Sequence, residues 1–132
     1  MTTNNSIYTI LIADDDEINR VILKHMLKYT NVEISCVTDG EEVMAYLNEH
    51  SSKKIILLLD LNMPNMDGNE VIARVNMDNG LKERVRIIVI TANLLSAYLR
   101  IGMGDSVLEC LEKPVNKEEL LELIKLGATQ LN

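Results

Sequence analysis

Residues 54–60 read KIILLLD, and the chain continues LNMPNMDG to Gly68. Five apolar residues, Ile55 to Leu59, lead straight into Asp60. The run is far short of the ~20 residues a membrane helix needs. An unbroken apolar strand, as opposed to an alternating one, implies burial on both faces of a sheet. An ionised carboxylate leaving such a strand is costly to desolvate unless something pairs with it. Asp60 therefore asks for partners, and the rest of the chain offers them.

Working outward, IYTILIA (7–13) and VRIIVITA (85–92) repeat the unbroken apolar pattern. VEISCV (32–37) alternates, and SVLECLE (106–112) is a short strand. Helix-period segments lie between. EINRVILKHMLKY (17–29) carries Ile18, Val21, Ile22, Met26 and Tyr29 at helical spacing. EEVMAYLNEH (41–50) and GNEVIARVNM (68–77) follow, and NLLSAYLRIGMGD (93–105) is the region of the fourth helix. NKEELLELIKLG (116–127) reads as an amphipathic fifth helix stopped by Gly127. Five β/α pairs imply an α/β fold with a parallel sheet and helices on both faces. With no repeat, low-complexity segment or linker, residues 1–132 read as one domain with no second, output domain.

Composition limits the function classes. A chain that is 47% hydrophobic is not disordered, and with no Phe or Trp its core must be Ile, Leu, Val and Met. A net charge of −7 argues against direct nucleic-acid binding and leaves open an acidic metal site or a basic protein partner. Cys36 and Cys110 make no disulfide framework. MTTNNSIYTI lacks the pattern of a signal peptide. A cytoplasmic protein without membrane association is expected.

In an open parallel sheet the ligand site lies beyond the carboxyl ends of the strands. Asp14, Asp15 and Asp16 follow the first strand, Asp60 ends the third, Thr91 the fourth, and Lys113 follows the fifth. Two carboxylates about 4 Å apart repel by roughly 4 kcal/mol at an effective dielectric of 20. Asp15 beside Asp60 would thus raise a pKa or recruit a cation. Oxygen-only ligands suit Mg²⁺. A carboxylate can also act as a nucleophile, with metal and lysine offsetting charge on a transferred phosphoryl group. Taken singly, most of these residues admit plainer readings. Asp16 reads better as the N-cap of the first helix than as a metal ligand. Asp14 and Asp15 fit a solvated turn, Thr91 a β-branched strand residue, and Lys113 a surface lysine. Asp60 resists such a reading, because IILLL precedes it.

ILIADDDEINR, LLLDLNMPNMDG, VITAN and EKPV together resemble the receiver domain of two-component response regulators, the CheY-like superfamily, from about Ile7 to Gly127. The resemblance implies a flavodoxin-like (βα)₅ three-layer sandwich with strand order 2-1-3-4-5. It implies that Asp60 is the phosphoacceptor and Asp14 and Asp15 the acidic pair, Asp15 the more direct Mg²⁺ ligand. Asn62 would lend its backbone carbonyl to the metal. Thr91 would hydrogen-bond the phosphoryl group, and Lys113 would pair with Asp60 and then with the phosphate. Lys113–Pro114 would be cis, Ala92 would leave room for the phosphoryl group, and Asn62 and Asn93 would tune hydrolysis. The implied partners are a histidine kinase or histidine phosphotransfer protein and a downstream protein effector. Relatives bind partners or form homodimers through the fourth helix, fifth strand and fifth helix. EINR also resembles receivers of hybrid kinases, which leaves open a fragment of a larger protein.

The pattern has departures. Cys110 stands three residues before Lys113, where the family usually has Tyr or Phe. A thiol cannot fill that ring's volume. Gly102 and Gly104 lower helix propensity by about 1 kcal/mol each, so a short or mobile fourth helix is expected. On the implied strand order Cys36 and Cys110 lie on opposite edges, too far apart to bond, and both read as small buried hydrophobes. His25 and His50 read as surface or helix-end residues, and the seven Met as core filling. Phosphorelay switching is the leading function. An aspartate-nucleophile phosphohydrolase is the alternative, although Asn62 stands where such enzymes carry an acid. A receiver that only binds, without phosphorylation, is a third.

Overall fold

The structure, a computed structural model, describes residues 8–100 and 104–132. Five parallel strands run β1 (Tyr8–Ala13), β2 (Glu33–Val37), β3 (Lys54–Asp60), β4 (Val85–Thr91) and β5 (Val107–Glu112). Their order in the sheet is β2-β1-β3-β4-β5, as the resemblance implied. The helices are α1 (Glu17–Leu27), α2 (Gly40–Glu49), α3 (Gly68–Asn76), α4 (Asn79–Arg84), α5 (Leu94–Arg100) and α6 (Lys117–Leu131).

The unbroken apolar strands feed two cores, one on each face of the sheet, because successive strand side chains point to opposite sides. Leu11, Ile55, Leu57, Leu59, Ile87 and Val89 pack against α2, α3, α4 and α5 through Val43, Leu47, Val71, Val75, Leu81 and Ala97. Ile10, Ile12, Ile56, Leu58, Ile88 and Ile90 pack against α1 and α6 through Leu23, Leu27, Leu120, Ile124 and Leu131. Asp16 caps α1 as expected, accepting from the Ile18 amide at 2.8 Å.

Several expectations need correction. Of the apolar stripe expected on α1, Met26 packs against the core but the other four residues are exposed. Ile18 is 68% exposed, Val21 59% and Tyr29 79%, while Leu23 and Leu27 face the sheet. Two apolar stripes share this helix, and packing on the sheet selects Leu23 and Leu27. At its start Arg20 also donates to the Asp14 carbonyl at 2.7 Å. Gly127 does not stop α6, which runs on to Leu131. Gly127 faces the sheet instead, where an added Cβ would stand 3.0 Å from Leu108 Cδ1 and 3.2 Å from Ile56 Cδ1. The glycine permits close approach, and the helix accepts its propensity cost.

α4 was not anticipated, being only six residues long. Asp78 caps it, and Arg84 at its end donates to the carbonyls of Leu47 (2.6 Å), His50 (3.1 Å) and Lys53 (3.2 Å). A guanidinium thereby satisfies the orphan carbonyls around the C-terminus of α2. The anticipated fourth helix is α5, seven residues as described, and Gly102 lies outside the described residues. Cys36 is exposed on one edge strand, β2, whereas Cys110 on the opposite edge strand, β5, is buried, and both thiols are free. Met77 is 86% exposed and fills no core, unlike Met63. Met1 and Met103 lie outside the described residues. His25 is exposed on α1, and His50 ends α2, its ring stacked on Tyr46 at 4.0 Å.

Candidate functional site

The register of the sheet brings the site together. β1 pairs Ala13 with Leu59 of β3, so Asp14 and Asp60 leave the sheet side by side. β3 pairs Asp60 with Ile90, and β4 pairs Thr91 with Glu112, so Thr91 and Lys113 follow at the same edge. Asp14, Asp15 and Asp60 each offer a carboxylate oxygen, all within 4.8 Å of one another. Asp14 and Asp60 are buried, at 2% and 6% exposure, while Asp15 is exposed.

Each buried carboxylate is held by local geometry. Asp14 Oδ1 accepts from the Asp16 amide at 2.9 Å, and its Oδ2 accepts from Lys113 Nζ at 3.3 Å. Asp60 Oδ1 accepts from the Asn62 amide at 3.1 Å, and its Oδ2 lies 3.7 Å from Lys113 Nζ. The lysine therefore stands closer to Asp14 than to Asp60. Burial pushes the Asp60 carboxyl above its usual range. The Asn62 amide and the Lys113 ammonium pull it down, and the charges of Asp14 and Asp15 push it up again. One ammonium group faces three acids, so the cluster carries an uncompensated negative charge.

That donor set fits a hard divalent cation, which takes one or two carboxylates together with carbonyl oxygens and water. Asp16, by contrast, spends its carboxylate on the α1 cap. Lys113–Pro114 is cis, as the resemblance implied, and the Lys113 amide donates to the Thr91 carbonyl at 2.8 Å. Thr91 is buried, and its hydroxyl donates to the Asn93 carbonyl at 3.3 Å. Asn93 in turn accepts from the Ser96 amide at 2.9 Å in the first turn of α5. Asn62 and Ala92 are exposed beside the site.

The loop after Asp60 is tightly constrained. The Gly68 amide donates to the Leu61 carbonyl at 3.0 Å, and a Cβ at Gly68 would overlap the Asp60 carbonyl. Sequence reasoning missed the outer anchors of this loop. Asn65 adopts φ 67° and donates to Asp39 Oδ2 at 2.6 Å. The Gly40 amide donates to the Met66 carbonyl at 2.9 Å, so close that no Cβ fits at Gly40. Asp39 also caps α2 through the Glu42 amide at 2.8 Å. That amide, then the Asn65 side chain, holds the Asp39 carboxyl below its usual range. The signal was present in TDGEE: Glu42 three residues after Asp39 is a capping-box spacing, and Glu42 reaches back to the Thr38 amide.

Residues 10–125 match the model of the response regulator receiver domain. The chain is 31% identical over 94% of its length to the sensor protein EvgS of Escherichia coli K12, of which it spans 10%. It is 32% identical over 88% of its length to the hybrid signal transduction histidine kinase L of Dictyostelium discoideum, spanning 7% of that protein. It covers less than a fifth of the curated relatives it matches. Among solved structures, the receiver domain of sensor histidine kinase PA1611 from Pseudomonas aeruginosa PAO1 superposes with a TM-score of 0.78 at 20% identity, covering 94% of this chain and 99% of that one. That structure holds a magnesium ion coordinated in its active site cleft. Among the described residues no helix is long and apolar enough to cross a membrane.

Proposed function

The chain belongs to the response regulator receiver domain family, and on that footing we propose that it is a phosphoacceptor switch modified on Asp60. It is a receiver of two-component signalling, related to the receivers of histidine kinases. The observation that carries the finer reading is the grouping of Asp60 with Asp14 and Asp15 within 4.8 Å, and Lys113 Nζ 3.7 Å away.

The phosphoryl donor is a phosphohistidine of a histidine kinase or phosphotransfer protein. An Asp60 oxygen attacks phosphorus; the O–P bond forms as the N–P bond breaks, and the bonding pair stays on the imidazole nitrogen. Asp14, Asp15, Asp60 and the Asn62 carbonyl would hold Mg²⁺, which when bound supplies positive charge to the transferring group's oxygens. Lys113 passes from its carboxylate partners to a phosphoryl oxygen. Thr91 gives up the Asn93 carbonyl and turns its hydroxyl to the phosphate, moving the start of α5. The surface of α5, β5 and α6 then changes its affinity for a downstream protein or a second copy. Cys110 cannot supply the ring movement familiar in relatives. Tyr98 on α5, bonded to Glu109 of β5 at 2.8 Å, spans the same helix–strand seam. Hydrolysis of the acyl phosphate resets the switch, so the chain transforms only itself.

Mass spectrometry tests this. Incubation with Mg²⁺ and acetyl phosphate should add one phosphoryl group to the wild type and none to Asp60→Asn. An adduct that persists in the variant places the acceptor elsewhere, and failure of the wild type to take up either phosphate or beryllofluoride refutes the switch.

A further inference from the structure

We propose that Asp39 and Asn65 are positioning residues for the cation site, acting through the loop that follows the phosphoacceptor. The inference rests on the reading that Asp14, Asp15, Asp60 and the Asn62 carbonyl bind a divalent cation. The loop from Leu61 to Asp67 carries that carbonyl, and its base is closed by Gly68 on Leu61. Its end is tied to α3 through Asp67, whose carboxylate accepts from the Glu70 amide at 3.0 Å and whose carbonyl accepts from the Val71 amide at 3.3 Å, and Met63 is buried in the core. Between these points α2 supplies two further ties. Asn65 Nδ2 bonds Asp39 Oδ2 at 2.6 Å, and the Met66 carbonyl accepts from Gly40 at 2.9 Å.

Two features mark this link as more than packing. Asn65 sits at φ 67°, a conformation that Asn tolerates better than most residues, and its side chain reaches 26 residues back in sequence. Asp39 is itself immobilised, since its other oxygen caps α2 at the Glu42 amide. A rigid helix end therefore holds the loop that presents Asn62. A carbonyl ligand misplaced by a few tenths of an ångström binds a small, geometry-demanding ion poorly. Hydrogen bonds that orient ligands typically cost tenfold or more in metal affinity when removed.

Two substitutions isolate the bond. Asn65→Gly removes the side chain, keeps φ > 0 accessible and changes no charge. Asp39→Ser keeps a good cap for α2 and leaves no second polar group to face Asn65. Calorimetric titration with MgCl₂, at constant ionic strength, should show Asn65→Gly weakening Mg²⁺ roughly tenfold. In the Asp39→Ser background, Asn65→Gly should have no further effect, since the bond is already gone; the direct effect of the lost charge is common to both arms and cancels. Thermal melts in EDTA should stay within a few degrees of wild type. The proposal is overturned if Asn65→Gly leaves Mg²⁺ affinity unchanged, or weakens it equally in both backgrounds. A wild type that takes up no Mg²⁺ at all would instead sink the cation site on which the proposal stands.

Discussion

Asp60→Asn should stabilise the protein in the absence of divalent metal. Carboxylate oxygens no more than 4.8 Å apart repel by at least about 3.5 kcal/mol per pair at an effective dielectric of 20. Asp60 takes part in two such pairs. The Lys113 ammonium 3.7 Å away returns about 4.5 kcal/mol on the same scale. Removing the Asp60 charge therefore relieves about 2.5 kcal/mol, or about 1 kcal/mol once the share of solvent-exposed Asp15 is halved for screening. The desolvation cost of a buried carboxylate is relieved in the same direction. For a chain of this size that range raises the melting temperature by about 4–10 °C. The assay is thermal unfolding in EDTA at pH 7, followed by circular dichroism. The Asp60 carboxyl is raised in the folded state, so folding favours its protonated form. Its contribution is full below the unfolded carboxylate range near pH 4 and is lost as pH rises through the folded value. The gap between variant and wild type should thus close as pH falls from 7 toward 4. Saturation with Mg²⁺ should close it from the other side, since a ligand at about 100 times its Kd stabilises the wild type by about 2.7 kcal/mol. A variant that melts below the wild type at pH 7 in EDTA would refute the electrostatic account of the cluster.

Two further outcomes follow from the fold. Arg84→Met should lower stability by about 2–3 kcal/mol, because three carbonyls at the end of α2 lose a charged donor; a urea midpoint unchanged from wild type would show that the clamp contributes nothing. Thiol titration of the native protein should give one fast equivalent from exposed Cys36, while Cys110, buried and with its thiol pushed up by burial and by Glu109, should react only on unfolding; equal rates for the two would contradict the strand placement.

Much of the site was legible because its residues share one address. Asp14, Asp60, Thr91 and Lys113 each stand where an apolar strand ends, and parallel strands end on the same side. That inference needed only the pattern of burial and the alternation of β and α elements. The outer anchors were harder to read. Asp39 announces itself as a helix cap, but nothing near it in the chain announces Asn65 as its partner, 26 residues away. Likewise α4 has six residues, too few to show a helical period, and its role appears only when Arg84 meets the end of α2.

What the sequence determined by itself is whatever follows from local pattern: five strands, the longer helices between them, the cap at Asp16, and the edge at which acids and lysine gather. Tertiary structure decided the rotation of α1, the passage of α6 through Gly127, the exposure of Cys36 on an edge strand, and the nearer pairing of Lys113 with Asp14, 99 residues away. The physical reason is that burial periodicity is a one-dimensional signal with a repeat of two or 3.6 residues. It says that a face will be covered. Which face, by which neighbour and at what distance depends on packing and on bonds between groups that meet only once the sheet has formed.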